Sequence, residues 1–159
     1  MKLNETVLQK LAEGSTSREG RQTLAVPDQG AGWTVVLTVD RQDDLSCAVW
    51  EMKLQRTVPA PAGASLDRWA NRAAAQVTGL LERLKVYEID AKRNEALLRS
   101  AAPTRRGEDV YYYEVLLRGT AQATARRFHG GVQKNKRKQA AFVLTHEQLA
   151  KFAADIAAD

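Results

Sequence analysis

The longest helical pattern in the chain lies between residues 65 and 84. Apolar residues recur there at steps of three and four positions: Leu66, Trp69, Ala70, Ala73, Val77, Leu80, Leu81 and Leu84. This spacing places them on one side of a helix, and Ser65 stands where an N-cap belongs. The pattern therefore predicts a helix over residues 65–81, whose apolar side must be covered by a sheet or another helix.

Two shorter amphipathic stretches predict helices near the two ends of the sequence. The first covers residues 3–13, where Leu3, Val7, Leu8 and Leu11 follow helical spacing. The second covers residues 145–157, where Thr145 and Gln148 have the spacing of a capping box. Residues 14–20, which read GSTSREG, are polar and rich in turn formers, so they predict a polar connector.

Between these stretches the apolar residues alternate with polar ones, which is the period of a strand. Residues 33–56 alternate on both sides of a polar turn and predict a hairpin. Similar patterns predict strands at residues 21–26, 85–91, 96–100, 110–118, 121–128 and 139–144. The predicted fold class is α+β: a single antiparallel sheet of about six strands, meander-like, with the three helices packed mainly on one face.

Length and composition indicate one domain over residues 1–159. The 159 residues are 44% hydrophobic and 27% charged, as in ordinary soluble proteins. The sequence has no apolar run of membrane-spanning length and no signal-peptide pattern, so we expect a cytoplasmic protein with no membrane span. A single cysteine, Cys47, excludes a disulfide within one chain and a cysteine-based zinc cage.

The charge of the chain is concentrated in one place. The formal net charge is +5, but residues 126–138, RRFHGGVQKNKRK, hold six Lys and Arg and no acid. Without them, the remaining 18 bases would face 19 acids. We call residues 126–138 the basic segment, and the pair Gly130-Gly131 predicts that it turns as a basic hairpin.

The basic segment supplies the candidate anion-binding residues. If the hairpin gathers its cations on one surface, they would attract an anionic partner, either nucleic acid or an acidic protein segment. The other interpretation is that lysine and arginine keep an exposed hairpin soluble and deter pairing at its edge. The candidates are Arg126, Arg127, His129, Lys134, Lys136, Arg137 and Lys138.

No pattern predicts a catalytic residue, a metal site or a cofactor. His146-Glu147 opens like the zinc-protease motif HExxH, but Ala150 stands where the second histidine belongs. Gly30-Ala31-Gly32 precedes a strand, whereas a dinucleotide-binding turn follows one. Cys47 lies among apolar strand residues, which is typical of inert packing. The sequence therefore favours a protein that is not an enzyme.

Three hypotheses for the function follow from these observations. The first is a non-enzymatic binding or adaptor domain whose basic hairpin contacts an anionic partner. The second is a structural or chaperone-like assembly module, a homodimer joined through an exposed strand or through the face that carries Ala121, Ala123 and Ala125. The third is a small-ligand-binding domain or an enzyme with a pocket between the sheet and the helices.

Overall fold

The structure is a computed structural model, and it describes residues 2–14, 18–131 and 136–158. Over these residues the chain forms three α-helices and a single antiparallel sheet, which confirms the α+β class. The described sheet contains ten strands, so the predicted number of about six is wrong. The helices are α1 (Leu3–Glu13), α2 (Leu66–Gln76) and α3 (His146–Ala157).

Neighbouring strands of the sheet mostly follow one another along the chain, as in a meander, except where β3 pairs with β8 and where β7 pairs with β5. The main order of the sheet is β1-β2-β3-β8-β7-β5-β4, and the short strands β6, β9 and β10 pair with β7, β8 and β3. The strands are β1 (Arg18–Asp28), β2 (Trp33–Gln42), β3 (Ser46–Arg56), β4 (Leu84–Asp90), β5 (Glu95–Ser100), β6 (Thr104–Arg106), β7 (Asp109–Arg118), β8 (Gln122–Gly130), β9 (Lys138–Ala140) and β10 (Phe142–Thr145).

The three short strands explain much of the difference from the predicted count. Strand β6 lies in a segment that reads as a loop because Pro103 and Gly107 flank it, and it pairs with the start of β7. Residues 139–144 read as one continuous strand because their side chains alternate. In the structure this segment changes its partner strand, so its first part is β9 and its second part is β10.

The core lies between one face of the sheet and the helices. In the central strands the buried side chains are neighbours across the ladder, such as Val35 beside Leu54 and Leu37 beside Met52. They form one cluster with Val7 of α1 and other helical residues. The alternating side chains of the same strands, on the opposite side of the sheet, form what we call the open face.

Helix α2 ends five residues earlier than predicted. Val77 has an extended backbone, with φ of −73° and ψ of 102°, and the following residues cross to β4 without helical structure. Val77 and Leu80 are nevertheless buried. The apolar spacing therefore continues beyond the helix because the crossing segment, residues 77–83, also packs on the core. Helix α3 agrees with its prediction, and its capping box of Thr145 and Gln148 is present.

Strand β1 is longer at both ends than the predicted strand at residues 21–26. It begins at Arg18, inside the predicted connector, and it continues through Pro27 to Asp28. Proline is tolerated there because, among the described residues, β1 pairs only with β2, and an edge strand has one set of unpaired amides. No described helix combines the length and the apolar character that crossing a membrane requires.

Candidate binding cleft and the basic segment

The described cations of the basic segment lie on two faces of the sheet. Arg126 and Arg127 are neighbours in β8, and successive side chains of a strand point to opposite sides. Arg126 and Arg137 contact residues of the open face, whereas Arg127 is buried on the side that faces the helices. Lys134 lies outside the described residues.

On the open face, both arginines are bound to carboxylates, that of Glu51 in β3 and that of Glu114 in β7. Arg126 donates from Nε to Oε2 of Glu51 at 2.7 Å. Arg137 lies 2.8 Å from Oε2 of Glu114, the carboxylate that also accepts a hydrogen bond from Nε of Arg99 at 2.8 Å. The guanidinium of Arg137 also lies 3.8 Å from the ring centre of Phe128. These contacts neutralise much of the positive charge of the segment.

On the helix-covered face, Arg127 forms a bidentate ion pair with Glu82. Its Nη1 and Nη2 atoms donate to Oε1 and Oε2 of Glu82 at 3.0 and 2.9 Å, and the two side chains are only 8% and 5% exposed. Ser100 and Thr104 donate their hydroxyls to the same carboxylate. The charge of Arg127 is therefore balanced inside the protein.

The remaining candidate residues of the segment differ from one another. His129 stacks on Tyr111 with ring centres 4.6 Å apart, and its Nε2 lies 3.0 Å from Oδ1 of Asp109. Lys136 and Lys138 are exposed, and neither forms an ion pair with another described residue. A shared anion-binding surface on this segment therefore stays a prediction, and the local pairing gives it little support.

A cleft of about 540 Å³ lies where the sheet forks. Strands β3 and β8 pair at residues 52–55 and 122–125 and then diverge. Beyond that point β8 pairs with β9 and β3 pairs with β10. The side-chain amide of Gln139 donates to the carbonyl of Trp50 at 2.8 Å and so closes the narrow end of the fork.

One side of the cleft is a backbone edge. Four consecutive residues, 141–144, line it. The backbone N–H of His146 donates to Leu45 O at 2.9 Å, and ladder contacts alternate along an antiparallel strand. The N–H and C=O of Val143 therefore point away from β3 and into the fork. No described strand pairs with this edge of β10.

The other walls of the cleft are apolar and aromatic, with a positive rim. Tyr111, Tyr113 and Leu80 line it, and Leu81 beside them is 69% exposed. Its described lining residues include two arginines and no acid. Because Arg127 is neutralised by Glu82, the exposed Arg106 gives the cleft its positive charge.

No residue pattern in the sequence indicates this cleft. The basic residues Arg105 and Arg106 are visible in the sequence, but the surrounding segment reads as a loop. The alternation of residues 139–144 gives no sign that the segment changes partner. The fork and the edge of β10 arise from contacts between strands that are distant in the sequence, so no local residue pattern predicts them.

The reactive groups that the sequence singled out give no sign of catalysis. Cys47 is fully buried in β3, and burial, with a smaller effect of Asp43, raises the pKa of its thiol to about 11. The thiol therefore stays protonated at neutral pH and is a poor nucleophile. His146 lies in the first turn of α3, and its buried Nε2 atom has no hydrogen-bond partner among the described residues.

No protein-family model, curated protein or solved structure matches the chain.

We predict that Cys47 resists alkylation in the folded protein. A pKa of about 11 instead of 9.0 lowers the thiolate fraction about 100-fold at neutral pH, and burial restricts access further. Mass spectrometry after iodoacetamide treatment, with and without urea, measures the two rates. Equal rates in the two conditions would contradict the buried, protonated thiol.

Removing one partner of the buried ion pair should destabilise the protein strongly. For Glu82→Ala we expect a loss of about 3–5 kcal/mol in the free energy of unfolding, because Arg127 is left buried and uncompensated. The double variant Glu82→Leu with Arg127→Met should be clearly more stable than Glu82→Ala. Urea denaturation measures all three proteins, and a double variant no more stable than the single one would contradict this account.

The same carboxylate should make stability depend on pH in the acid range. Burial alone would raise the pKa of Glu82, but hydrogen bonds from Arg127, Thr104 and Ser100 outweigh burial and lower it. The stabilisation is therefore present above the unfolded pKa of about 4.3 and is lost as the pH falls through the lower folded pKa.

Comparison with Glu82→Gln isolates this contribution. The advantage of the native protein over Glu82→Gln should shrink between about pH 5 and pH 3. Glu13→Gln, at an exposed position of α1, serves as the control and should show no comparable change. A constant difference between the native protein and Glu82→Gln over this range would rule out the expected titration.

Proposed function

We propose that the protein is a non-enzymatic binding domain that holds an extended, acidic segment of a partner protein in the forked sheet. The observation that carries this proposal is the edge of β10 inside the cleft, which pairs with no described strand and where Val143 presents a backbone donor and acceptor. A partner strand added to such an edge gains main-chain hydrogen bonds, and alternate side chains enter the neighbouring pockets.

The charge of the cleft supports an acidic partner. Arg106 lies on its rim, and no described lining residue is acidic. A carboxylate of the bound segment would therefore meet an opposite charge, which favours acidic over basic partners. Apolar side chains of the same segment would pack against Tyr113, Leu80 and Phe142, which line the cleft.

An acidic protein segment is a better candidate than nucleic acid. Nucleic-acid binding depends on many cations that follow the phosphates along one surface. Here Arg126, Arg127 and Arg137 are each bound to a glutamate, and they lie on two faces of the sheet. Among its described residues the cleft has one uncompensated charge, that of Arg106, and a backbone edge, which suits a peptide.

The other hypotheses have less support. Ala123 and Ala125 are buried in the monomer and cannot form the contact face of a homodimer, although an exposed edge strand remains available for one. The third hypothesis, a pocket between sheet and helices, is close to the cleft in position. The cleft holds no nucleophile or acid–base pair among its described lining residues, so we favour binding over catalysis.

The proposal is tested with synthetic extended peptides. Fluorescence anisotropy compares a labelled nonapeptide of alternating valine and glutamate with its valine–lysine counterpart. We expect the acidic peptide to bind at least about tenfold more tightly, a difference of about 1.4 kcal/mol. Equal affinities, or no binding of the acidic peptide at about 1 mM, the weak end of the range for such contacts, would overturn the proposal.

Two pairs of variants locate the binding site. Val143→Pro removes the N–H that points into the fork and should weaken binding about tenfold, whereas Val143→Thr keeps it and should not. Arg106→Glu should weaken binding of the acidic peptide more than Arg105→Glu, the same charge change at a neighbouring residue that does not line the cleft. Circular dichroism checks that each variant is folded. Equal effects of the two Arg→Glu changes would contradict the site.

A further inference from the structure

Strand β4 lies at one outer edge of the sheet. Its seven residues, Leu84–Asp90, pair with β5, and no other described strand pairs with them. The outer side of such a strand presents backbone donors and acceptors to which a further strand can bind. Two large apolar side chains lie at this edge in contact with solvent, since Tyr87 is 52% and Ile89 is 38% exposed.

The pairing with β5 determines which backbone groups of β4 point outward. The N–H of Ala101 donates to Arg83 O at 2.7 Å, and bonded and non-bonded pairs alternate along an antiparallel ladder. The N–H and C=O of Lys85 therefore point to β5. Those of Leu84 and Val86 point away from β5, to the outer side of the edge.

A β-bulge shifts this alternation by one residue in the middle of β4. The register with β5 changes between Val86 and Glu88, so Tyr87 is an extra residue beside Glu88, which is opposite Leu97. Beyond the bulge, the next residue whose N–H and C=O point outward is therefore Ile89. The outward groups of β4 thus belong to its residues 84, 86 and 89.

The edge of β4 is complementary to the same edge of a second copy of the chain. When the two strands run antiparallel about a two-fold axis at Val86, Leu84 is opposite Ile89 of the second copy, and the outward groups of both strands meet. The bulge adds one residue to each strand, so the same register places Lys85 opposite Glu88 of the second copy. By symmetry each of these contacts occurs twice.

The side chains that meet in this register also match in charge. Lys85 is opposite Arg99 in the ladder with β5, and Arg99 binds Glu114 on the open face, so Lys85 lies on the open face as well. Glu88 lies on that face too, because the bulge restores the alternation. Lys85 and Glu88 are both exposed, and neither forms an ion pair with another described residue.

We propose that β4 pairs with β4 of a second copy in this register and joins the two sheets into one continuous antiparallel sheet. A lysine on an edge strand deters pairing with unrelated strands, but here its charge meets a glutamate of the second copy. Burial of Ile89 and Tyr87 at the junction adds to the main-chain hydrogen bonds. The opposite edge strand, β1, is less suitable because Pro27 has no N–H to contribute.

Sedimentation equilibrium tests whether the dimer forms. Over protein concentrations from about 1 μM to about 1 mM we expect a reversible equilibrium between monomer and dimer. A protein that is still monomeric at about 1 mM would overturn the proposal.

Charge-exchange variants test the register. Lys85→Glu and Glu88→Lys each place two pairs of like charges opposite one another and should weaken dimerisation at least about tenfold. The double variant Lys85→Glu with Glu88→Lys restores opposite charges and should return the dissociation constant to within about threefold of the native value. Lys10→Glu, at an exposed position of α1 outside the sheet, is the control and should leave dimerisation unchanged.

The outcomes of these experiments separate the possible explanations. If both single variants dimerise as tightly as the native protein, the dimer uses another surface and the proposal is wrong. A double variant that stays as weak as the single ones would contradict the register, and circular dichroism checks that each variant is folded. None of the changed residues lines the forked cleft, so peptide binding there is tested separately.

Discussion

The buried ion pair between Arg127 and Glu82 connects parts of the chain that strand pairing alone does not join. Glu82 belongs to the segment that crosses from α2 to β4, while Ser100 of β5 and Thr104 of β6 bind the same carboxylate. Two charges can be buried at acceptable cost only when nearly all their hydrogen-bonding groups are satisfied. The pair therefore fixes the path of the crossing segment over the sheet, and with it one wall of the cleft.

In the basic segment, ion pairs formed in the folded protein neutralise much of the positive charge that is apparent in the sequence. Arg126 binds Glu51, 75 residues away along the chain, and Arg127 binds Glu82, 45 residues away, on opposite sides of the sheet. A run of cations in the sequence therefore does not become an equally positive surface.

Side-chain periodicity predicts the parts of this fold that are governed by neighbouring residues. The β2–β3 hairpin and helix α3 follow their patterns, since alternation and the capping box of Thr145 are local properties. The end of α2 does not follow, because Val77 is buried in an extended segment at a position that also suits a helix. The fork depends on whether residues 138–145 pair with β8 or with β3. The alternation of their side chains is the same for either partner strand.

The hydrogen bond from Gln139 to the carbonyl of Trp50 has a consequence for anything that enters the fork. At that point the side-chain amide of Gln139 connects β9 to β3 through this hydrogen bond, without a strand between them. A segment that aligns with β10 therefore meets a closed end instead of a continuous groove. Within the described part of the chain, β10 contributes four residues to this edge, so we expect the fold to limit the length of backbone that could pair there, whatever the sequence of the bound segment.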